Sequence, residues 1–439
     1  MNRLIKLPKT LLVAAPLLVL LGCSGTDTGS SSSVVATLTS ASLAHSSLAS
    51  VSSSSSVSSV SPVSSFNSSA SSSAGEPLTS AQSVALKMAE SIMTRNPNSY
   101  GGWNYETGTV LRGFEELYKV TQDVRLFNYV KSTVDSVVSA SGAINGFKES
   151  DYNIDEVKQG TSLLYLYSVT GEERYKQAAD ALRNQLANHP RTHDGGFWHK
   201  NKYPWQMWLD GLYMGQPFYV QYSLMFAETS NFDDVYKQLT LMEKHSLDPK
   251  TGLLYHAWDE SGDSSWANAT THQSPVFWGR SIGWYVMALV DVLDYFPVER
   301  TEQRQVLIDV LQHQIAALAP FQDEDGVWWQ VTDRVGDSAN WQESSATAMY
   351  VYAVAKGMRK GYLGQEHTAM LNKGWAGLNR LFVVQNTNDL LTLTQTCEGT
   401  GVGSSYSFYV GRRAVDNDHK GLGPYLLAGA EMILRGVYQ

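Results

Sequence analysis

Two stretches of this chain repeat each other. LYKVT at 117–121 returns as LYSVT at 166–170, an offset of 166 minus 117, or 49 residues, and Arg125 falls on Arg174 at the same offset. A repeat of this length is one helix pair, a unit that cannot bury its apolar face alone and must stack on its neighbours. FAETS at 226–230 is a weaker third copy. Helical spacing begins at Ser80, a plausible N-cap, with Val84, Met88 and Ile92 four apart on one face. The same period predicts helices at 108–120, 123–138, 155–169, 172–187, 209–227 and 233–245, and then at 279–295, 301–318, 342–358, 366–382 and 417–435. Short polar turns within pairs and long aromatic segments between them predict an all-α fold, a closed ring of six helical hairpins, with an open superhelix as the alternative. Strand-like stretches such as GVWWQV at 326–331 fall in the loops between pairs. Loops gathered at one end of a rigid ring can build a pocket.

The repeat pattern occupies only part of the chain. Arg3, Lys6 and Lys9 precede an apolar run at 11–21 that is too short to span a bilayer, and Gly22 and Cys23 follow it. This is the layout of a secretory signal, and LLGC resembles the lipobox of bacterial lipoproteins. The resemblance implies removal of residues 1–22, lipidation of Cys23, a membrane anchor and, with Ser24 behind the cysteine, outer-membrane sorting. Residues 23–75 are dominated by serine and almost uncharged, so they cannot bury enough apolar surface to fold and are expected to act as a flexible tether. Residues 76–439 are long enough for one large core and are expected to form the folded domain.

Cys397 is the sole cysteine besides Cys23, so this domain has no internal disulfide and must be stabilised by packing. A net charge of -9 and a pI near 5.6, with no basic cluster, argue against nucleic acid as a partner. Twelve tryptophans and 23 tyrosines include enough aromatic faces for stacking on sugar rings, although most will fill the core.

Two carboxylates stand where a loop enters a predicted helix: Asp155 in NIDEVKQG and Asp210 in QMWLDGLYM. Each could be a helix cap or half of an acid pair. At Asp210 the helix N-terminus would lower the carboxyl pKa, while Trp205, Met207, Trp208, Leu209 and Tyr213 would desolvate it and raise it.

QMWLDGLYM, preceded by HKNKYP, resembles the signature of the unsaturated rhamnogalacturonyl hydrolases and the related unsaturated glucuronyl hydrolases. WNYETG (103–108), NIDEVKQG, DGGFWHK (194–200), GLLYHAWDE (252–260), FWGRSIGWY (277–285) and CEGTGVG (397–403) follow in the family's order, so the resemblance runs from Leu78 to the C-terminus. It implies a six-hairpin (α/α)6 barrel. It also implies hydration of the double bond of a 4,5-unsaturated uronic acid at the non-reducing end of an oligosaccharide left by a polysaccharide lyase. In that reading Asp210 protonates C4 and activates water, and Asp155 assists. Arg280 would offer the uronate a planar fork, and Trp278 or Trp284 would stack on the sugar. His256 would lie beside the unsaturated ring, with His199, Lys200 and Tyr105 lining the site. Ile154 and Met214 depart from the residues common beside the two aspartates, which bears on subsite shape.

Other signals carry less. GTGVG at 399–403 lacks dinucleotide spacing and a βαβ setting, and a tight loop needing glycine dihedrals explains it better. His189, His193 and His199 lack the partners of a zinc site, and no G-x-S-x-G elbow is present, so neither metal nor cofactor is expected. The leading expectation is removal of unsaturated galacturonyl units from rhamnogalacturonan fragments. The alternatives are the glucuronyl version on ulvan or glycosaminoglycan products, a conventional glycosidase or lyase on the same ring, and a lipoprotein that only binds glycans.

Overall fold

A computed structural model describes residues 81–438, with side chains through 436. The predicted signal segment, Cys23, the 23–75 tether and the Ser80 cap lie outside these residues. The helices are, in chain order, α1 (Ala81–Arg95), α2 (Tyr105–Thr121), α3 (Val124–Asp135), α4 (Gly160–Thr170), α5 (Glu173–Ala187), α6 (Leu209–Met225), α7 (Asn231–Ser246), α8 (Gly279–Val292), α9 (Thr301–Leu318), α10 (Ser344–Arg359), α11 (Thr368–Phe382), the short α12 (Tyr406–Val410) and α13 (His419–Tyr438).

Six of these helices form a closed inner ring. α2 packs on α4, α4 on α6, α6 on α8, α8 on α10, α10 on α13, and α13 returns to α2. Outside them, α1 backs α13, α3 backs α2, α5 backs α4, α7 backs α6, α9 backs α8 and α11 backs α10. This is the (α/α)6 barrel, closed rather than an open superhelix.

Sequence explains which helices go inside. Every residue of α8 is buried, as expected of a helix whose residues are apolar or small apart from Arg280 and Asp291. In α9 the buried positions are mainly Leu307, Val310, Leu311, Gln314, Ile315 and Leu318, the one-sided stripe of an outer helix.

The 49-residue repeat marks the hairpin corner. LYKVT and LYSVT end the inner helices α2 and α4. Gln122 and Gly171 then take left-handed backbone with φ of 58° and 71° and close the helix ends through Tyr118 O and Tyr167 O. The matching arginines begin the outer helices, where Arg125 reaches Glu90 of α1 at 2.9 Å and Arg174 reaches Asp135 of α3 at 2.7 Å. Each tethers its helix to the preceding outer one. FAETS, by contrast, begins on Phe226, the cap that follows α6, and so lies wholly beyond the helix end.

Short turns thus occupy one end of the ring, and long loops occupy the other, where they feed the N-termini of the inner helices. One such loop carries β1 (Gln206–Trp208), paired antiparallel with β2 (Ala257–Asp259) from the next. Two expectations change here. GVWWQV forms no strand, only isolated bridges from Trp329 to Gln342 and from Val331 to Trp278, because its backbone is shared between two loops. The helix expected from 155 begins at Gly160, after a 3-10 turn at Ile154–Val157. Gly160 is a close approach: a Cβ there would lie 2.6 Å from the Phe218 ring.

Inside the ring lies a buried polar cluster. Lys356 of α10 pairs with Asp291 at 2.6 Å and Asp294 at 2.7 Å, and Arg112 of α2 pairs with Glu115 and Glu116 at 3.1 and 2.6 Å. Lys158 has no hydrogen-bond partner for its ammonium, which sits 3.7 Å over the Tyr213 ring. Burial pushes its pKa down to about 7.

Candidate active site

The loop before α6 assembles the site through main-chain pairing. His199 N–H donates to Gln206 O at 2.7 Å and Ile154 N–H donates to His199 O at 3.3 Å, so residues 199–200 run between the turn that holds Asp155 and the strand leading to Asp210. On the other side Leu209 N–H donates to His256 O at 3.0 Å, which brings His256 beside the first turn of α6. Five expected residues, Tyr105, Asp155, His199, Lys200 and Asp210, line one cavity of about 170 Å³ together with Tyr203, Trp208, Met214, Gly399, Thr400 and Gly401.

The choice between cap and acid is decided by the partners of the two aspartates. Trp208 stands at the N-cap of α6 and makes no side-chain cap, while Asn153, not Asp155, caps the 3-10 turn by accepting from Asp155 N–H at 3.2 Å. Asp210 Oδ2 instead meets His256 Nε2 at 3.0 Å. Asp155 meets Lys200 Nζ at 2.5 Å and His199 Nε2 at 3.5 Å. Neither carboxylate therefore acts as a cap, although each lies in a first helical turn, and both line the cavity.

Electrostatics separates their settings. Burial is the largest influence on Asp210 and pushes its pKa up, but the electrostatic attraction and hydrogen bond of His256, with His199 and Arg280 behind it, outweigh burial and hold the carboxyl below its ordinary range. The desolvating aromatics do not win. Lys200 is pulled down by burial and pulled up more strongly by the Asp155 charge and hydrogen bond, so it stays cationic. Burial raises the Tyr105 phenol far above its ordinary value.

One wall is aromatic. The His199 ring stacks on Trp208 at 4.2 Å and 14°, and Tyr203 stacks on the same indole at 4.9 Å and 22°. Such a face suits the apolar side of a sugar ring.

Four expected residues are not on the cavity wall. His256 is fully buried behind Asp210. Arg280 is 1% exposed, and its two terminal nitrogens donate to the carbonyls of Cys397 and Glu398, so the fork expected for the substrate is occupied by backbone. Trp278 is buried and donates to Gln330 Oε1 at 3.1 Å. Trp284 stacks on Tyr213 at 5.1 Å inside the ring, because α8 turns that face toward α6. A sequence signal for Trp208 existed, two residues before Asp210. For Gly399, Thr400 and Gly401 only the fold could place the loop. None of the glycines in GTGVG has positive φ, so dihedral freedom does not explain them. Gly403 is required by contact, since a Cβ there would lie 2.0 Å from the Phe408 ring.

The buried histidines imply an acid-sensitive fold. Burial pushes His199 and His189 down to about 4 from an ordinary 6.5. Between those values the unfolded chain binds protons that the folded chain refuses, so stability is present above pH 6.5 and is lost as pH falls toward 4. Replacing His189 by Asn is expected to reduce the stability lost between pH 7 and pH 5 by about 2 kcal/mol, read from urea midpoints at the two pH values.

The family model for glycosyl hydrolase family 88 matches residues 84–435. The chain belongs to that family. It is 30% identical over 253 residues to the unsaturated rhamnogalacturonyl hydrolase YesR of Bacillus subtilis, covering 56% of this chain and 68% of that protein. A family 105 glycoside hydrolase structure from C. acetobutylicum ATCC 824 superposes with a TM-score of 0.77 at 41% identity, covering 79% of this chain and 98% of that one. The unsaturated glucuronyl hydrolase of Bacillus sp. GL1 shares the fold at 12% identity and a TM-score of 0.62, covering 82% and 96% of the two chains. This family 88 member is a glycoside hydrolase of the unsaturated uronyl hydrolase group.

Proposed function

We propose that this enzyme removes a 4,5-unsaturated uronic acid from the non-reducing end of lyase-generated oligosaccharides, with unsaturated galacturonyl-rhamnose from rhamnogalacturonan as the leading substrate. The observation that carries the reading is the pair of cap-free carboxylates, Asp210 on His256 and Asp155 on Lys200, facing a cavity of about 170 Å³. That volume suits one sugar ring and not a polymer track.

Asp210 gives a proton to C4 of the enol ether, positive charge develops at C5 and the ring oxygen, and Asp155 stabilises it. Water adds at C5 and returns its proton to Asp210. The hemiketal then opens and releases the next sugar. Asp210 must hold a proton first, and the substrate assists: its carboxylate adds negative charge to the cavity, which raises the Asp210 pKa toward the working range.

Lys200, rather than Arg280, is the cation that reaches the cavity, and we assign it the uronate. It also borders a neighbouring open hollow of about 330 Å³ lined by Asp151, Asn153, Asn201 and Lys202, room for the sugar that follows. Lys200→Met is expected to raise KM about 10- to 100-fold with a smaller fall in kcat, measured by steady-state kinetics on an unsaturated disaccharide.

The deciding experiment follows the ultraviolet absorbance of the conjugated enol carboxylate during incubation with lyase-digested rhamnogalacturonan, ulvan and chondroitin. Loss of absorbance on the first supports the leading substrate. Loss on the others alone moves the assignment to the glucuronyl alternative, and release of sugar only from saturated oligosaccharides sinks the hydration chemistry.

A further inference from the structure

The hydrogen-bond chain at Asp210 does not end at His256. His256 Nδ1 lies 2.8 Å from the hydroxyl of Tyr409, a residue of α12 that is 153 positions away in sequence, and Gly403 N–H donates to the same hydroxyl at 3.1 Å. Tyr409 and His256 are both fully buried, and Trp278 packs beside both, with ring centroids 4.7 Å from His256 and 6.1 Å from Tyr409.

We infer that Tyr409 is a positioning residue that locks His256 in the tautomer with its proton on Nε2, aimed at Asp210. An amide N–H can only donate, so the Tyr409 oxygen accepts from Gly403, and its own proton is left for Nδ1. Nδ1 must then be the unprotonated nitrogen, and Nε2 carries the hydrogen that Asp210 Oδ2 accepts. The opposite tautomer would point two donors at the Tyr409 oxygen, strand its hydroxyl proton in a buried space, and turn a bare nitrogen lone pair toward a carboxylate. Burial holds the Tyr409 phenol well above its ordinary pKa, so the hydroxyl keeps its proton at working pH.

The lock decides where the catalytic proton resides. With Oδ2 engaged as an acceptor, a protonated Asp210 carries its hydrogen on Oδ1, the oxygen that His256 leaves free. In the other tautomer the acid would spend its proton on His256 Nε2 rather than on substrate. The glycine loop that includes Gly399, Thr400 and Gly401 of the cavity wall also supplies the Gly403 amide, so one loop both borders the substrate and sets the tautomer.

The kinetic part of this inference rests on Asp210 as the proton donor, whereas the tautomer itself does not, and the test separates the two. In the full chain labelled with 15N-histidine and free of substrate, long-range proton–nitrogen correlations assigned by loss of the peak set in His256→Gln should give the Nε2–H form. Tyr409→Phe keeps the ring and should yield a mixture of tautomers. On an unsaturated disaccharide the same variant should lose kcat about 10- to 100-fold with KM within about twofold, as for other groups that orient an active residue. In a His256→Gln background the Tyr409→Phe change should have no further effect on kcat. A wild-type Nε2 without its proton, a Tyr409→Phe protein that keeps both tautomer and kcat, or an equal fall in the two backgrounds would overturn the inference. The spectrum of Tyr409→Phe is read only after its melting curve is matched to wild type; if that variant does not fold, the wild-type spectrum carries the decision. A correct tautomer with no turnover of any unsaturated uronide would leave the inference standing and remove the proposed activity.

Discussion

Asp210→Asn lowers kcat on an unsaturated disaccharide by on the order of 10²- to 10⁴-fold, with KM within about threefold of wild type. The amide keeps the volume of the carboxylate at the first turn of α6 and can still accept from His256 Nε2, so the loops around the cavity keep their places. It cannot carry a transferable proton. Binding therefore survives while protonation of C4 does not, which is the signature of an interaction made only in the transition state. Retention of more than a tenth of the activity would take the proton donor away from Asp210, and the two cap-free carboxylates would exchange roles. A protein that only binds glycans for uptake would be indifferent to this substitution.

The second large effect is on stability. Lys356→Met should lower the free energy of unfolding by about 3–5 kcal/mol, measured by urea denaturation at neutral pH. Lys356 is 2% exposed and holds two acidic groups, Asp291 on α8 and Asp294 just beyond it, while the Tyr352 hydroxyl donates to Asp291 at 2.6 Å. Removing Lys356 leaves Asp291 without its ion-pair partner and Asp294 with Lys360 alone, at 2.7 Å. A double variant, Lys356→Met with Asp291→Leu, should recover part of the loss, because deleting both partners removes the charge along with its compensation. Equal midpoints for wild type and Lys356→Met would mean that water reaches the cluster and screens it.

These two sites differ in how readable they were. The helix pairs were legible because apolar spacing and the 49-residue repeat are local signals, and the corner arginines Arg125 and Arg174 gave the offset away. The neighbourhood of Asp210 was legible as motif order, and five of the residues expected around it do line one cavity. What the residues alone could not give is direction. Arg280 and Trp284 sit one helical turn apart on a helix buried all round, so nothing local tells which face looks at substrate and which at the core. The pKa of Asp210 was equally out of reach, since its decisive partner, His256, arrives from the loop just ahead of β2, 46 positions away. Tyr409 is the extreme case: its role exists only after β5 (Thr396–Cys397) and β6 (Ala414–Val415) pair and fold the last loop back over the site.

Ring closure also bears on biosynthesis. The final inner helix, α13, fills the gap between α10 and α2 and is covered by α1, and Lys420 near its start reaches Glu106 of α2, 314 residues earlier, at 3.1 Å. Leu391 N–H likewise waits for the Ser91 hydroxyl, 300 residues upstream. The first hairpin therefore leaves the ribosome with one flank bare, and that flank stays exposed until almost the whole polypeptide has been made. Such late, long-range contacts slow folding and favour a chain that remains unfolded while it is being synthesised, the state in which a polypeptide can still be threaded through a narrow channel.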